Sequence, residues 1–145
     1  MVPGDQQTAR DVEDASSDTA ATAAGLTGGP FTSRQLFRID NALSAADRET
    51  GFTFSIFVGA MPDPSREYAE KLHDQLAEPT ESVLIAISPD QRVLEIVTGE
   101  HAARRLPDRA CALAALSMTA AFGGGDLAGG VVTGLQMLSN QARAR

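Results

Sequence analysis

Residues 83–97 read VLIAISPDQRVLEIV, two apolar runs separated by a short polar turn. The first run, Val83–Ile87, contains no polar residue, which is typical of a strand buried on both faces of a sheet. Pro89 in the turn favours a reversal of the chain. The second run, Val93–Val97, is therefore predicted to be a partner strand, and we expect the two to form an antiparallel hairpin.

Another strand and two helices are predicted before this hairpin. Residues 52–58 alternate between large apolar and smaller side chains, as a strand does. Residues 32–35, TSRQ, have the capping-box pattern and predict a helix that runs to about Glu49. A second helix is predicted to begin after Asp63, which is placed to cap it. Its His73 lies beside the apolar face and is expected at the surface.

After the hairpin, a third helix is predicted from Pro107. Residues 110–122 are apolar on nearly all sides of this helix, so the sequence predicts that it is buried. Cys111, the single cysteine, lies in this run and is expected to be a buried core thiol.

The glycines at 123–125 end the third helix, and Asp126 is placed to cap a fourth. Gly130 and Gly134 are four residues apart, which would let this helix approach a neighbour closely. The predicted order is therefore α-β-α-β-β-α-α. Its β-α-β unit requires a right-handed crossover, and the result is a three-layer α/β/α sandwich around a small mixed sheet.

The chain divides into a tail, residues 1–30, and one domain, residues 31–145. The tail holds five acids against one arginine and almost no large apolar side chains, so we expect it to be disordered. The net charge of −7 and the lack of a basic stripe argue against nucleic-acid binding. Neither a secretory signal nor a transmembrane segment is visible, and the expected location is the cytoplasm, with peripheral membrane association left open.

Acidic residues near strand ends and helix starts are the candidates for chemistry: Glu100, Asp108 and Asp126, with His101 nearby in sequence. Carboxylates brought together by loops can bind Ca²⁺ or Mg²⁺, and a bound ion can activate water against a phosphate ester. The alternative is purely structural, because acids at a helix start are stabilised by the helix dipole without any ligand. His101 and Cys111 could pair as base and thiol only if the fold brought them together.

Four stretches in order resemble the motifs of the TPM family. They are Glu49-Thr50-Gly51, residues 83–90, Gly99 with Leu106-Pro107-Asp108, and Phe122 with Gly125-Asp126 and Gly130. The resemblance covers residues 31–145, and the usage of eleven arginines against one lysine is similar to that of an actinobacterial branch. It implies the same α/β/α sandwich. Some members are weak acid phosphatases, several bind calcium, and others act as assembly or maintenance factors.

Only part of the family's acidic site is present under this resemblance. Asp108 and Asp126 fall on acidic positions, whereas Leu26 and Ala103 stand where further acids are expected. Glu100 is a candidate third metal ligand, and Glu81 another substitute. A cation held by so few carboxylates should bind weakly, since affinity follows ligand number and charge.

Three functions follow as hypotheses. The first is a non-catalytic module that binds a protein partner, in cell-envelope or membrane-complex maintenance. The second is a weak metal-dependent acid phosphatase that uses Asp108 and Asp126, with Glu100 as third ligand. The third is a Ca²⁺-binding module without catalysis. The missing acids favour the first, with no resident cofactor other than weakly bound Ca²⁺ or Mg²⁺.

Overall fold

The computed structural model describes residues 30–143. Seven helices and strands follow the predicted order, with short 3₁₀ turns at Pro79–Glu81 and Ala102–Arg104. They are α1 Ser33–Thr50, β1 Thr53–Val58, α2 Ser65–Asp74, β2 Ser82–Ser88, β3 Val93–Thr98, α3 Asp108–Gly123 and α4 Leu127–Ala142. The tail predicted to be disordered, residues 1–30, lies outside the described residues except for its last position.

The three strands form one mixed sheet in the order β1-β2-β3. β1 pairs with β2 in parallel, and β2 pairs with β3 antiparallel, with Val83 opposite Thr98 and Ser88 opposite Val93. All seven residues of β2 are buried, as its unbroken apolar run predicts. The predicted hairpin and the predicted mixed sheet are therefore confirmed.

Helices cover both faces of the sheet. α4 packs between α1 and α3, and these two outer helices also contact β1 and β3 respectively. α2 contacts β2 and β3, and Phe57 of β1 meets Tyr68 of α2 with ring centroids 6.3 Å apart. The sandwich thus has α1, α4 and α3 on one face and α2 on the other, which confirms the predicted α/β/α class.

The start of α1 is fixed by local hydrogen bonds. The backbone N–H of Gln35 donates to the Thr32 hydroxyl oxygen at 3.1 Å, and the backbone N–H of Thr32 donates to the Gln35 side chain at 2.9 Å. Both bonds of the predicted capping box are present. The helix ends at Thr50, followed by Gly51 in the left-handed conformation with φ 83°.

α2 begins differently from the prediction. Its N-cap is Pro64 rather than Asp63, and no side chain caps the helix. Contacts with β3 hold this end instead: the Ser65 hydroxyl donates to the Glu95 carboxylate at 2.7 Å, and Arg66 donates to the carbonyl of Ile96 at 2.7 Å. Tertiary bonds to a neighbouring strand have replaced the local cap.

His73 is buried, so its predicted surface position is wrong. Only 5% of the residue is exposed, and its Nε2 lies 2.9 Å from the carbonyl oxygen of Ser82 at the start of β2. A carbonyl can only accept, so Nε2 carries the hydrogen and donates. This bond satisfies the polar end of a ring that α2 turns toward the sheet.

α3 is not buried all round, which corrects a second prediction. Only Ala114 and Met118 are buried among its 16 residues, because α3 is an outer helix of its layer and packs mainly against α4. The predicted close approach of α4 is confirmed. A Cβ placed at Gly134 would lie 2.6 Å from the Met118 sulfur, and one at Gly130 would lie 2.7 Å from the Phe122 ring.

Gly99→Ala should destabilise the domain by about 2 kcal/mol or more. A Cβ at this position would lie 1.8 Å from the carbonyl oxygen of Pro79 and 2.6 Å from the backbone carbon of Thr80, so backbone has to move. Gly123→Ala is the matched control: its Cβ meets nothing within 4 Å, and we expect a change within about 0.5 kcal/mol. Urea unfolding of both variants measures this, and equal midpoints would contradict the close packing at Gly99.

Candidate functional site

The structure places two of the predicted metal ligands at opposite ends of one helix. Asp108 is the first residue of α3, and Asp126 follows its last turn as the cap of α4. A helix of 16 residues is about 24 Å long at 1.5 Å per residue. Carboxylate oxygens bind Ca²⁺ at about 2.3–2.6 Å, so Asp108 and Asp126 cannot hold the same ion.

Glu100, the third predicted ligand, lies beyond the end of β3, whereas Asp126 lies toward its start. Gly125 and Leu127, on either side of Asp126, line a cavity together with Val93, the first residue of β3. Glu100 and Asp126 thus lie near opposite ends of β3, and the six residues of this strand span about 20 Å. Among residues 30–143, no three His, Cys, Asp or Glu side chains form a group that could hold a metal ion. The fold therefore does not bring the three carboxylates together.

Each of these helix-start acids has a structural role. The Asp126 carboxylate accepts the backbone N–H of Gly129 at 2.9 Å and so caps α4, as predicted. Asp108 is exposed in the first turn of α3, where its charge complements the positive end of the helix. A helix cap and a helix-dipole interaction therefore account for both positions without a ligand.

His101 pairs with Glu81 rather than with the cysteine. Its Nδ1 lies 2.5 Å from a Glu81 carboxylate oxygen, and its ring meets the edge of Phe52 at a centroid distance of 5.7 Å. The pair is at the surface, with about half of the His101 side chain exposed. It is a hydrogen bond between a loop and the turn before β2, and an ion pair whenever the ring is protonated.

Cys111 is half-buried rather than fully buried, which corrects the expected core position. Its sulfur lies 3.9 Å from the carbonyl oxygen of Leu106. Burial raises the pKa of the thiol above its ordinary value, the negative charge of Asp108 raises it further, and Arg66 opposes this. The thiol is therefore protonated at neutral pH and is a poor nucleophile.

The outer face of α3 is apolar and exposed. Leu113 is 54% exposed and Leu116 is 68% exposed, and Ala112 and Ala120 on the same side are exposed as well. We call these four residues the α3 outer face. Phe37 on α1 is 67% exposed but is separated from this face by α4. A helix that is apolar on all sides has the same sequence pattern whether other elements cover every side or leave one side exposed. The sequence alone therefore could not show that this face is exposed.

A cavity of 470 Å³ lies between the β2–β3 turn and the loop that joins α3 to α4. Its apolar walls come from both strands, from α3 and from the start of α4, and Arg92 is the charged residue that lines it. The lining residues are Ile87, Ser88, Pro89, Arg92, Val93, Leu94, Thr119, Phe122, Gly123, Gly125 and Leu127. Sequence reasoning missed this cavity because its walls are far apart in the chain and form no motif.

In the part of the chain that the structure describes, no helix combines the length and apolarity that crossing a bilayer would require.

Fold and geometry define a small α/β/α domain with an exposed apolar helix and without an assembled acidic centre in residues 30–143. Residues 12–139 match the model of DUF5130, a domain of unknown function. This span is most of the chain, so the chain belongs to the DUF5130 family.

Two relatives come from Mycobacterium tuberculosis. The uncharacterized proteins MT2543 of strain CDC 1551 / Oshkosh and Rv2468c of strain H37Rv are each 28% identical to this chain over 110 residues. The match covers 76% of this chain and 66% of each relative. The chain thus spans 66% of the length of the relatives it matches.

Three solution NMR structures of bacterial proteins have a similar fold. The N-terminal domain of a P. gingivalis protein has a TM-score of 0.70 at 20% identity and covers 79% of this chain and 78% of its own. The BA42 protein of Bizionia argentinensis has a TM-score of 0.68 at 14% identity, and the match covers 80% of this chain and 83% of that protein. The N-terminal domain of cg2496 from Corynebacterium glutamicum has a TM-score of 0.66 at 14% identity, and the match covers 80% of this chain and 76% of that domain. These likenesses show the fold.

The expected membership in the TPM family is corrected by these comparisons. The family model that matches the chain is DUF5130, and the similar structures agree with this chain in fold. Short motifs in the right order suggested the wrong family. The metal and phosphatase roles that came with the resemblance lose that support.

A double-mutant cycle tests whether Asp108 and Asp126 act separately. Asp126→Ala should cost about 1 kcal/mol through loss of the helix cap, and Asp108→Ala about 0.3–1 kcal/mol through loss of the dipole interaction. Residues this far apart should be additive within about 0.5 kcal/mol, with or without millimolar Ca²⁺. Thermal or urea unfolding of the four proteins measures the cycle, and a coupling that appears only with Ca²⁺ would mean that they share an ion.

Proposed function

We propose that this domain is a non-catalytic protein-interaction module that docks through the α3 outer face. The observation that carries the proposal is the exposure of Leu113 and Leu116, three residues apart on one side of a helix. Exposed apolar patches on small domains commonly mark interaction sites. Covering the exposed half to two thirds of each leucine would gain about 1–2 kcal/mol for each side chain.

The shape and charge of this surface favour an apolar helix of a partner protein. Ala112 and Ala120 flank the leucines, and such small side chains let a second helix approach closely. The charges of α3, Asp108 and Arg109, lie in its first turn, and no residue from 110 to 123 is charged. An anionic membrane surface attracts clusters of Lys and Arg, and this face does not provide one.

The geometry offers less support to the two alternatives. A metal-dependent phosphatase or a Ca²⁺ module needs carboxylates that converge on one ion, and Asp108 and Asp126 lie at the two ends of α3. Cys111 has a raised thiol pKa and His101 is paired with Glu81, so a thiol–imidazole pair is not formed either.

Photo-crosslinking tests the proposed docking surface. With a photoreactive benzoylphenylalanine in place of Ala112, irradiation of cells that produce the protein natively should give a discrete adduct. Leu113→Glu together with Leu116→Glu should abolish it, since a buried charge opposes docking. Both leucines are more than half exposed, so the free energy of unfolding should change by no more than about 0.5 kcal/mol per site.

Two control variants accompany this experiment. Thr133→Glu with Gln136→Glu places the same two charges on the exposed side of α4 and should leave the adduct intact. Asp108→Asn should also leave it intact, because the proposal gives that carboxylate no role in docking. An adduct unaffected by the two α3 glutamates would contradict the surface. Hydrolysis of a chromogenic phosphate ester that disappears in Asp108→Asn would contradict the non-catalytic role.

A further inference from the structure

We propose that the cavity between the β2–β3 turn and the α3–α4 loop binds a small amphiphilic carboxylate, a medium-chain fatty acid in chemical class, with Arg92 holding its head group. The cavity shares no residue with the α3 outer face, so this inference does not depend on the proposed docking function. Its volume of 470 Å³ lies within the range of small-molecule sites, about 300–1,000 Å³.

The walls of the cavity suit an apolar chain. Five of the lining residues are large and apolar: Ile87, Val93, Leu94, Phe122 and Leu127. Four of these five are only partly buried, with Ile87 fully buried behind them. A hydrocarbon chain would cover this surface and remove it from water.

The polar atoms of the lining leave one strong donor free. The Ser88 hydroxyl donates to the Gln91 side chain at 2.6 Å, and the Thr119 hydroxyl donates to carbonyls of its own helix at 3.0 and 3.1 Å. Within residues 30–143, the Arg92 guanidinium makes no ion pair or side-chain hydrogen bond. A carboxylate is a planar, two-oxygen acceptor that a guanidinium can bind through two parallel hydrogen bonds.

Two helix ends with opposite dipoles meet at the cavity. Gly125 and Leu127 lie at the amino end of α4, which is positive, whereas Phe122 and Gly123 lie at the carboxyl end of α3, which is negative. The charge of the Arg92 guanidinium is therefore what selects an anion. The nearby carboxylate of Asp126 is turned to the backbone of Gly129 and does not line the cavity. Asp90, in the same turn as Arg92, does not line it either.

The backbone of Arg92 is a second, independent indication. It has φ 57°, and it is the one non-glycine residue of the described range with positive φ. In a hairpin loop closed by a bond from its N–H to the Pro89 carbonyl, this position favours glycine, which has no steric cost there. Left-handed non-glycine residues concentrate at binding and active sites. Arginine at this position costs stability, and a ligand contact gives a reason for it.

Calorimetric titration of the full chain with octanoate and dodecanoate tests the proposal, with octanol and octyltrimethylammonium as neutral and cationic probes of similar chain. The carboxylates should bind at least about tenfold more tightly than octanol, the gain expected from a charge-assisted hydrogen bond. Octyltrimethylammonium should not bind. All titrations are kept below the concentrations at which the probes form micelles.

Two variants locate the site, and one serves as control. Arg92→Gly should lose the preference for octanoate over octanol while its melting temperature stays equal or rises, because glycine relieves the left-handed backbone. Thr119→Phe should fill the cavity and weaken octanoate and octanol together. Arg38→Gln removes an exposed arginine of α1 and should leave both affinities unchanged.

Unchanged octanoate affinity in Arg92→Gly would overturn the proposal, as would equal binding of the anionic, neutral and cationic probes. A fall in affinity that is just as large in Arg38→Gln would also overturn it, because the effect would then follow net charge. The α3 double glutamate variant should bind octanoate like the original chain, so failure of the docking function and failure of this site are distinguishable.

Discussion

The burial of β2 on both faces is the constraint from which the remaining architecture follows. A strand of seven buried residues needs a strand on each side to satisfy its backbone and a layer of helices on each face to cover its side chains. β1 and β3 are the flanking strands, and the two helical layers are α2 on one face and α1, α4 and α3 on the other. Even the buried histidine obeys this requirement, since His73 donates to the first carbonyl of β2.

The predictions that succeeded rest on local signals. The capping box at Thr32 and Gln35, the cap at Asp126 and the apolar run of β2 all depend on residues close in sequence, and the structure contains each of them. The failures depend on distances that no local pattern encodes. Whether His73 meets solvent or Ser82 is decided by how α2 packs. Whether Asp108 and Asp126 converge is decided by the direction of α3.

The position of α3 at the edge of its layer explains why its composition was misleading. α4 is the central helix of that layer, and Gly130 and Gly134 bring it so close to α3 that Phe122 and Met118 occupy the space a side chain would need. With no further helix beyond it among residues 30–143, α3 keeps Leu113 and Leu116 at the surface. An apolar helix face that no neighbouring element covers is typical of a surface that binds another molecule.

The motif residues behind the corrected family resemblance each have a structural role in this chain. Gly99 is required because a Cβ there would overlap the Pro79 carbonyl, and Gly130 because Phe122 occupies the same space. Asp126 caps α4. Any sequence that folds a small α/β/α sandwich with these connections meets the same demands, so similar residues can recur at similar spacing without a shared site. The function of this domain is therefore better inferred from residues that the fold itself does not need at their positions. Leu113, Leu116 and Arg92 are such residues, because polar side chains would fit the first two positions and glycine the third at lower cost.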